Sequence, residues 1–488
     1  MGINLAGPSD WNSELPFVDV FRQSRKWISQ RKGAGFGKGP SLDLDEFGWV
    51  TRLQPDCFAE SLVLTDLDGH YPKGPYVVLY EGTGRVEIGH GTVLERSPHR
   101  LVVEPHDRAG MTLQIHETDP HDPVRNIRVV MPGFEEIYQA NPWHPLFLDR
   151  WKNFAVLRFM DFMHTNNSHV TSWDQRPRNE DQTFSGQGVS LKMMLDPANR
   201  LEIDPWFCMP HAADDDYVRA FALVVRDQLD PSLKVYVEYS NEVWNSQFEQ
   251  HRYAAAQGKS RGFAESDWEA AWHFYAHRST EVFRIWEQVF GGADRLVRVL
   301  SSQAGNPYVA EKILGWQNAA EQADALAIAP YLGMNIPGDE ADAVAALGVD
   351  GVLDRLEQQV LPRTIEKLMR GNKSVADQFG LPLIAYEAGQ HLVGLRGGEN
   401  DRPLTETFHA ANLHPRMGEI YRRYYQAWDE VGGGVMACFS SVSKWSKWGS
   451  WGLMQYHDLP IEDQPKMKIT LETAEAWKHA AVDDVEPR

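Results

Sequence analysis

At 488 residues, with 42% hydrophobic and 24% charged side chains, the chain is long enough for one large domain plus an extra module and has an ordinary globular composition. A formal net charge of -20 repels phosphate backbones, which argues against nucleic acid as a partner, and no apolar run reaches the length of a membrane span. The three cysteines, Cys57, Cys208 and Cys438, form neither a CxxC pair nor a disulfide framework; the last two lie in apolar runs that predict buried free thiols.

In chain order, Met1–Gly7 lacks the charged and apolar regions of a signal peptide, so none is expected there, and the compartment stays open. Ile3–Gly7 reads as a first strand. Residues 42–132 carry short β-rich runs (Tyr76–Tyr80, Arg85–Ile88, Arg100–Val103, Thr112–His116 and Asn126–Val130) between Gly, Pro, Asp and His turns. They predict a small antiparallel module inserted after strand 1, with the first helix resuming near Gly133–Ala140. Glu81-Gly82-Thr83-Gly84 lacks the Lys and the helix of a phosphate loop and is read as a hairpin turn.

From about residue 150 onward, apolar runs alternate with amphipathic segments, the pattern of repeated βα units. The strands are expected at Phe154–Met160, Ile203–Met209, Lys234–Ser240, Leu296–Ser301, Ala325–Pro330, Pro382–Glu387 and Gly434–Ser440. Helices are expected at Asp214–Gln228, Asp267–Phe290, Pro307–Gln322, Val352–Phe379, Glu406–Val431 and Leu471–Ala481. Ser266 and Glu269 form a capping-box pattern, and Asp214-Asp215-Asp216 offers a cap with first-turn anions. With Ile3–Gly7 the strands number eight, enough to close a (β/α)8, or TIM, barrel. The expected fold is therefore α/β: a barrel over residues 1–41 and 133–488, interrupted by the β-rich module at 42–132.

Two strand ends carry the chemistry. Val235-Tyr236-Val237-Glu238-Tyr239-Ser240-Asn241-Glu242-Val243-Trp244 delivers Asn-Glu to the C-terminal end of the fourth strand, where barrel active sites lie. Strand alternation assigns Glu238, Ser240 and Glu242 to one side and Tyr239 and Asn241 to the other. Pro382-Leu383-Ile384-Ala385-Tyr386-Glu387 delivers a second Glu to the end of the seventh strand, and Gly389 lets the chain turn away sharply.

At these two segments the chain resembles the clan of retaining (β/α)8 glycoside hydrolases that includes cellulases, β-mannanases and β-galactosidases. The resemblance implies Glu242 as acid/base and Glu387 as nucleophile. It further implies Arg158 as the residue that orients the nucleophile and Asn241 as a contact to the sugar 2-hydroxyl. His211 ends strand three and Tyr331 follows strand six, where clan members carry a His and a Tyr; Gln303 after strand five is a weaker candidate. Strand eight departs from the clan, which places a Trp at its end. Here Phe439 stands nearest, and Trp445, Trp448 and Trp451 come later, with Lys444 and Lys447 between them. Trp244, Trp445 and Trp448 are the aromatic substrate-binding candidates. The loop Asp161–Asn167, with Met163 and His164, and the run Trp173-Asp174-Gln175-Arg176 are read as subsite lining.

The expected function is hydrolysis of β-glycosidic bonds, internally in a β-linked polysaccharide, with no cofactor and no metal. The expected partner is a poly- or oligosaccharide; no membrane association is expected, and oligomeric state is open. Rival readings are an exo-acting β-glycosidase, a non-catalytic carbohydrate-binding barrel and a metal-dependent barrel. The last has only His211 with Asp214–Asp216 as a ligand cluster, and a helix cap explains those residues better.

Overall fold

The structure, a computed structural model, describes residues 1–106 and 109–483. Eight parallel strands close into a barrel in chain order. They are β1 (Gly2–Asn4), β2 (Val156–Arg158), β3 (Asp204–Met209), β4 (Val235–Tyr239), β5 (Leu296–Ser301), β6 (Ala325–Ile328), β7 (Leu383–Ala385) and β8 (Gly433–Cys438). β8 pairs back onto β1 through Gly2 and Ala437, which closes the ring.

Strand alternation divides the side chains into two cores. Leu157, Phe207, Met209, Val237, Leu300, Leu326 and Leu383 face outward into the layer shared with the helices. Val156, Trp206, Cys208, Tyr236, Val299, Ala325, Ala327 and Ile384 fill the barrel. The bulky rings of β3 and β4 are accommodated by the alanines of β6. Arg158 and Glu238 occupy the same inward positions, with Asn4 and Ser301 hydrogen-bonded to them.

Most helices follow their expected spans. Asp214 caps Asp215–Gln228, and the Ser266 hydroxyl accepts from the Glu269 N–H at the head of Asp267–Phe290. The stretch expected as one helix over Glu406–Val431 is two, Arg402–Leu413 and Pro415–Glu430, because Pro415 has no N–H to continue the first. Residues 133–140 form turns instead of a helix; the first helix is Pro145–Trp151, with Pro145 presetting its first turn and the His144 side chain capping it. Leu191–Leu201 and Glu249–Ser260 are two further helices without an expected counterpart.

Between β1 and β2 lie two four-stranded antiparallel sheets. One joins Ile28–Arg31, Cys57–Val63, Met111–Thr118 and Gly84–Gly89; the other joins Arg125–Val130, Tyr76–Glu81, Arg100–Pro105 and Gly91–Ser97. Ala59, Val86, Leu113 and Ile115 of the first share one core with Tyr76, Val78, Leu101, Val103 and Ile127 of the second, so the sheets form a sandwich. The antiparallel pairing starts at Ile28, well ahead of residue 42. This sandwich grips both long loops of the barrel mouth. Gln182 donates from its backbone to Phe47 and Arg178 pairs with Glu46 on the loop after β2. Lys444 pairs with Asp66 and Asp68, and Tyr456 donates to Asp68, on the loop after β8.

Among the described residues, no helix is long and apolar enough to cross a membrane. The three cysteines are buried and unpaired with one another.

Candidate active site

Arg158, at the end of β2, is completely buried and gathers the site around its guanidinium. One terminal nitrogen donates to Asn4 Oδ1 at 2.9 Å and to Glu387 Oε1 at 3.2 Å. The other donates to Glu238 Oε2 at 2.9 Å and to Asn241 Oδ1 at 2.8 Å. Its flat faces lie against Trp206 and Tyr386, 5.3 and 5.2 Å from the ring centres. A buried cation needs such compensation, and the two carboxylates supply the charge.

Glu387 leaves the end of β7. Its second oxygen accepts from the Tyr331 hydroxyl at 3.0 Å. The segments after β6 and β7 continue as a short parallel ribbon, Leu332–Pro337 with Gln390–Leu395, which fixes Tyr331 and Glu387 where the chain leaves the barrel. Gly389 makes the turn between them with a φ of 137°.

Glu242 follows β4. Its Oε1 accepts from the Tyr386 hydroxyl at 3.0 Å and its Oε2 from Asn245 Nδ2 at 2.9 Å. Simple alternation fails here. Ser240 and Glu242 adopt φ of 61° and 43°, so the chain twists out of the strand and Asn241 turns toward Arg158, on the same side as Glu238. Asn241 is locked further by donating to Asn166 Oδ1 at 3.1 Å, and Gln250 braces both residues.

Burial pushes both carboxyls above the ordinary range of a glutamate. For Glu387 the neighbouring charge of Glu242 adds to burial, while Arg158 and the Tyr331 hydroxyl pull it back. For Glu242 the hydrogen bonds of Asn245 and Tyr386 oppose burial, with the Arg158 charge after them. The two groups therefore sense one another, and the nearest cation sits on Glu387. Burial also raises the phenols of Tyr331 and Tyr386, which stay protonated and act as donors.

The structure brings Arg158, Asn241, Glu242, Tyr331 and Glu387 together. It adds Asn4, Glu238 and Tyr386, which sequence reasoning did not single out. Glu238 was visible as a carboxylate inside an apolar strand, and Tyr386 as the aromatic directly before Glu387. Glu238 also accepts from the Trp206 indole at 2.9 Å and from Ser301.

The remaining candidates stand further out. His211 is buried at the end of β3 beside Tyr253, 5.2 Å between ring centres, and its Nδ1 has no partner. Burial lowers its pKa, so the ring is neutral. Trp244 is half-buried, with its indole beside the Tyr386 hydroxyl. Gln303 lies in the turn ahead of the helix Pro307–Gly315. Trp445 is turned into its own loop, donating to the Gly452 carbonyl at 3.0 Å under the Lys466 ammonium, and Trp448 points to solvent. Of the three loop tryptophans it is Trp451 that meets Tyr331, with ring centres 5.7 Å apart, and it lies 5.5 Å from Phe439 and 4.4 Å from His391. Lys444 and Lys447 are committed to Asp66, Asp68 and Asn400. Among the described residues no three His, Cys, Asp or Glu side chains converge as a metal site.

No family model and no curated protein matches the chain. Among solved structures it is similar to a 4-O-α-L-rhamnosyl-β-D-glucuronidase from Fusarium oxysporum 12S, at TM-score 0.41 and 10% identity over 70% of this chain and 67% of that one. It is also similar to an endo-β-1,4-mannanase from Thermotoga petrophila, at TM-score 0.35 and 11% identity over 70% of this chain and 74% of that one. A third is a mannosidase of glycoside hydrolase family 5 from Rhizomucor miehei, at TM-score 0.35 and 9% identity over 68% of this chain and 87% of that one.

Proposed function

We propose that the chain is a retaining glycoside hydrolase that cleaves β-glycosidic bonds, with Glu242 as acid/base and Glu387 as nucleophile. One observation carries this reading. Two carboxyls, Glu387 buried and Glu242 half-buried, reach the same barrel mouth from β7 and β4, and their surroundings are unequal. Glu387 receives an Arg158 N–H and a Tyr331 O–H, whereas Glu242 receives only the uncharged donors Tyr386 and Asn245. When such a pair shares one proton, the negative charge settles beside the guanidinium and the proton on the other carboxyl.

That division fits double displacement. Ionised Glu387 attacks the anomeric carbon while Glu242 gives its proton to the leaving oxygen; Glu242, now ionised, takes a proton from water, which releases the sugar from Glu387. The retaining geometry requires the two carboxyls about 5–5.5 Å apart. Asn241 spends its oxygen on Arg158 and one amide proton on Asn166, leaving the other proton for a sugar hydroxyl. Trp451 is the best-placed ring for stacking under a sugar. Internal cutting of a β-linked polysaccharide is proposed from the aromatic loops after β2 and β8, which offer stacking surface beyond one ring.

The test is a panel of β-glucans, β-mannans, xylans and β-galactans, with products separated by chromatography and with E242A and E387A as controls. Oligosaccharides from at least one glycan, lost in both variants, are expected. Hydrolysis that persists in both variants contradicts the assignment.

A further inference from the structure

Between the loop after β1, the end of β2 and the loop after β8 is a pocket of about 240 Å³, lined among others by Trp11, Asp161, Phe439, Ser440, Lys444 and Trp451. At roughly 30 Å³ per water, this is the space of about eight waters, enough to admit a sugar ring.

Asp161 makes the pocket unusual. It lies three residues beyond Arg158, close enough for its charge to bear on Glu387. Among the described residues its carboxylate has neither a hydrogen-bond donor nor an ion-pair partner. Burial pushes its pKa up to about 6, against the pull of Arg158. Both terminal nitrogens of Arg158 are taken by Asn4, Asn241, Glu238 and Glu387, and its Nε makes no hydrogen bond. Asp161 is half-buried and opens on the pocket, so its acceptor sites are free for a donor from outside the chain, either water or a sugar hydroxyl. The pocket's other charge is already committed: Lys444 pairs with Asp66 at 2.8 Å and Asp68 at 2.9 Å. Carboxylates thus outnumber the local cation.

The position in the barrel says which part of a substrate would sit here. β8 stands directly opposite β4 in the ring of eight, with β1 beside it and β2 one strand further round, and Glu242 follows β4. An acid that protonates the leaving oxygen stands on the leaving-group side. The opposite arc receives the sugar that remains on Glu387.

We propose that this pocket binds the glycone, with Asp161 accepting hydrogen bonds from its hydroxyl or ammonium groups and Trp451 covering an apolar face, and that it selects neutral or amino sugars against uronic acids. The proposal rests on the glycosidase reading above. A carboxylate accepts from two neighbouring hydroxyls at once, whereas a sugar carboxylate meets only like charge.

The experiment measures calorimetric binding to the full chain carrying E387A, which blocks turnover. The probes are cello-, manno- and galactotetraose, each also oxidised to the uronate at C6 of every ring, so that whichever ring enters the pocket carries the charge. At least one neutral tetrasaccharide is expected to bind tenfold or more tightly than its oxidised form at pH 8. D161A is expected to weaken neutral binding at least tenfold, and D161N to narrow the gap between the two forms. A pH series with E387A alone needs no further variant: the gap is expected to shrink below pH 6, where Asp161 takes up a proton. Equal affinity for neutral and oxidised forms at pH 8, or unchanged binding in folded D161A, overturns the proposal. If the wild-type chain hydrolyses a glycan with retention while D161A binds normally, only the pocket assignment falls. A chain that binds none of the probes and cuts no glycan removes both readings.

Discussion

The Tyr386 hydroxyl donates to Glu242 Oε1 at 3.0 Å, while the next residue, Glu387, accepts from Arg158 and Tyr331. One dipeptide at the end of β7 therefore touches both carboxyls of the site. The Tyr386 bond favours the charged form of Glu242, so its removal raises a pKa that burial has already raised. For Y386F the alkaline limb of kcat/KM, set by loss of the Glu242 proton, is expected to move to higher pH. The plateau is expected to fall about tenfold, the worth of one hydrogen bond to a charged group. A pH–rate profile checks this; an unmoved alkaline limb would detach Tyr386 from the titration of Glu242.

Arg158 and Glu238 form an ion pair inside the barrel, at 2.9 Å and with no solvent contact. Replacing Arg158 by Leu strands Glu238 in an apolar interior, a loss of about 3–5 kcal/mol. R158L is expected to unfold at clearly lower urea than the wild type, and R158K to recover only part, because an ammonium cannot span four acceptors in the plane of a guanidinium. Unfolding followed by circular dichroism gives the answer. An R158L midpoint equal to that of the wild type is incompatible with this role.

Glu14 is a buried carboxyl on the loop after β1, bonded to Trp151 and Ser441, and burial raises its pKa from 4.5 to about 7. The fold favours the protonated form. Its stabilising contribution is thus full below the unfolded value near 4.5 and is lost as pH rises through about 7. The difference amounts to about 3 kcal/mol between those limits. E14Q keeps a neutral amide there, so its stability relative to wild type should rise from pH 4 to pH 8. Thermal unfolding of both proteins at the two pH values tests the sign; a constant difference refutes it.

Lys466 is buried and donates to the carbonyls of Ser450 at 2.9 Å and Gly452 at 2.8 Å, the two residues flanking Trp451. Gln390 holds the Ser450 carbonyl as well. K466M leaves those acceptors with fewer donors and loosens the platform, at about 1–2 kcal/mol. KM for the preferred glycan is expected to rise roughly tenfold, with kcat less affected. W451A should reproduce the rise in KM. An unchanged KM in K466M would mean that the loop needs no clamp.

The barrel was legible because its strands are short, almost wholly apolar and punctuated by helices with their own caps, so all eight ordinals could be counted. The strand-end glutamates followed from that count. What sequence did not reveal depends on backbone twist and loop rotation. Alternation misplaced Asn241 because Ser240 and Glu242 take left-handed backbone, which no spacing announces. Glu238 looks in sequence like any acid near a strand, and only the side-by-side packing of β2, β3 and β4 brings it to Arg158. Trp445, Trp448 and Trp451 are equivalent by spacing, yet the first is tied into the loop, the second is exposed, and only the third meets Tyr331.

Azide rescue tests the division of labour between the two carboxyls most directly. The probes are 2,4-dinitrophenyl β-cellobioside and β-mannobioside, whichever the wild type cleaves, and the product anomer is read by NMR. With E242A, azide should attack a sugar already held on Glu387 and give the β-glycosyl azide. With E387A, azide should enter the vacated space directly and give the α-glycosyl azide. The opposite pairing of variant and anomer, or no rescue in either, contradicts the assignment of Glu387 as nucleophile and Glu242 as acid/base.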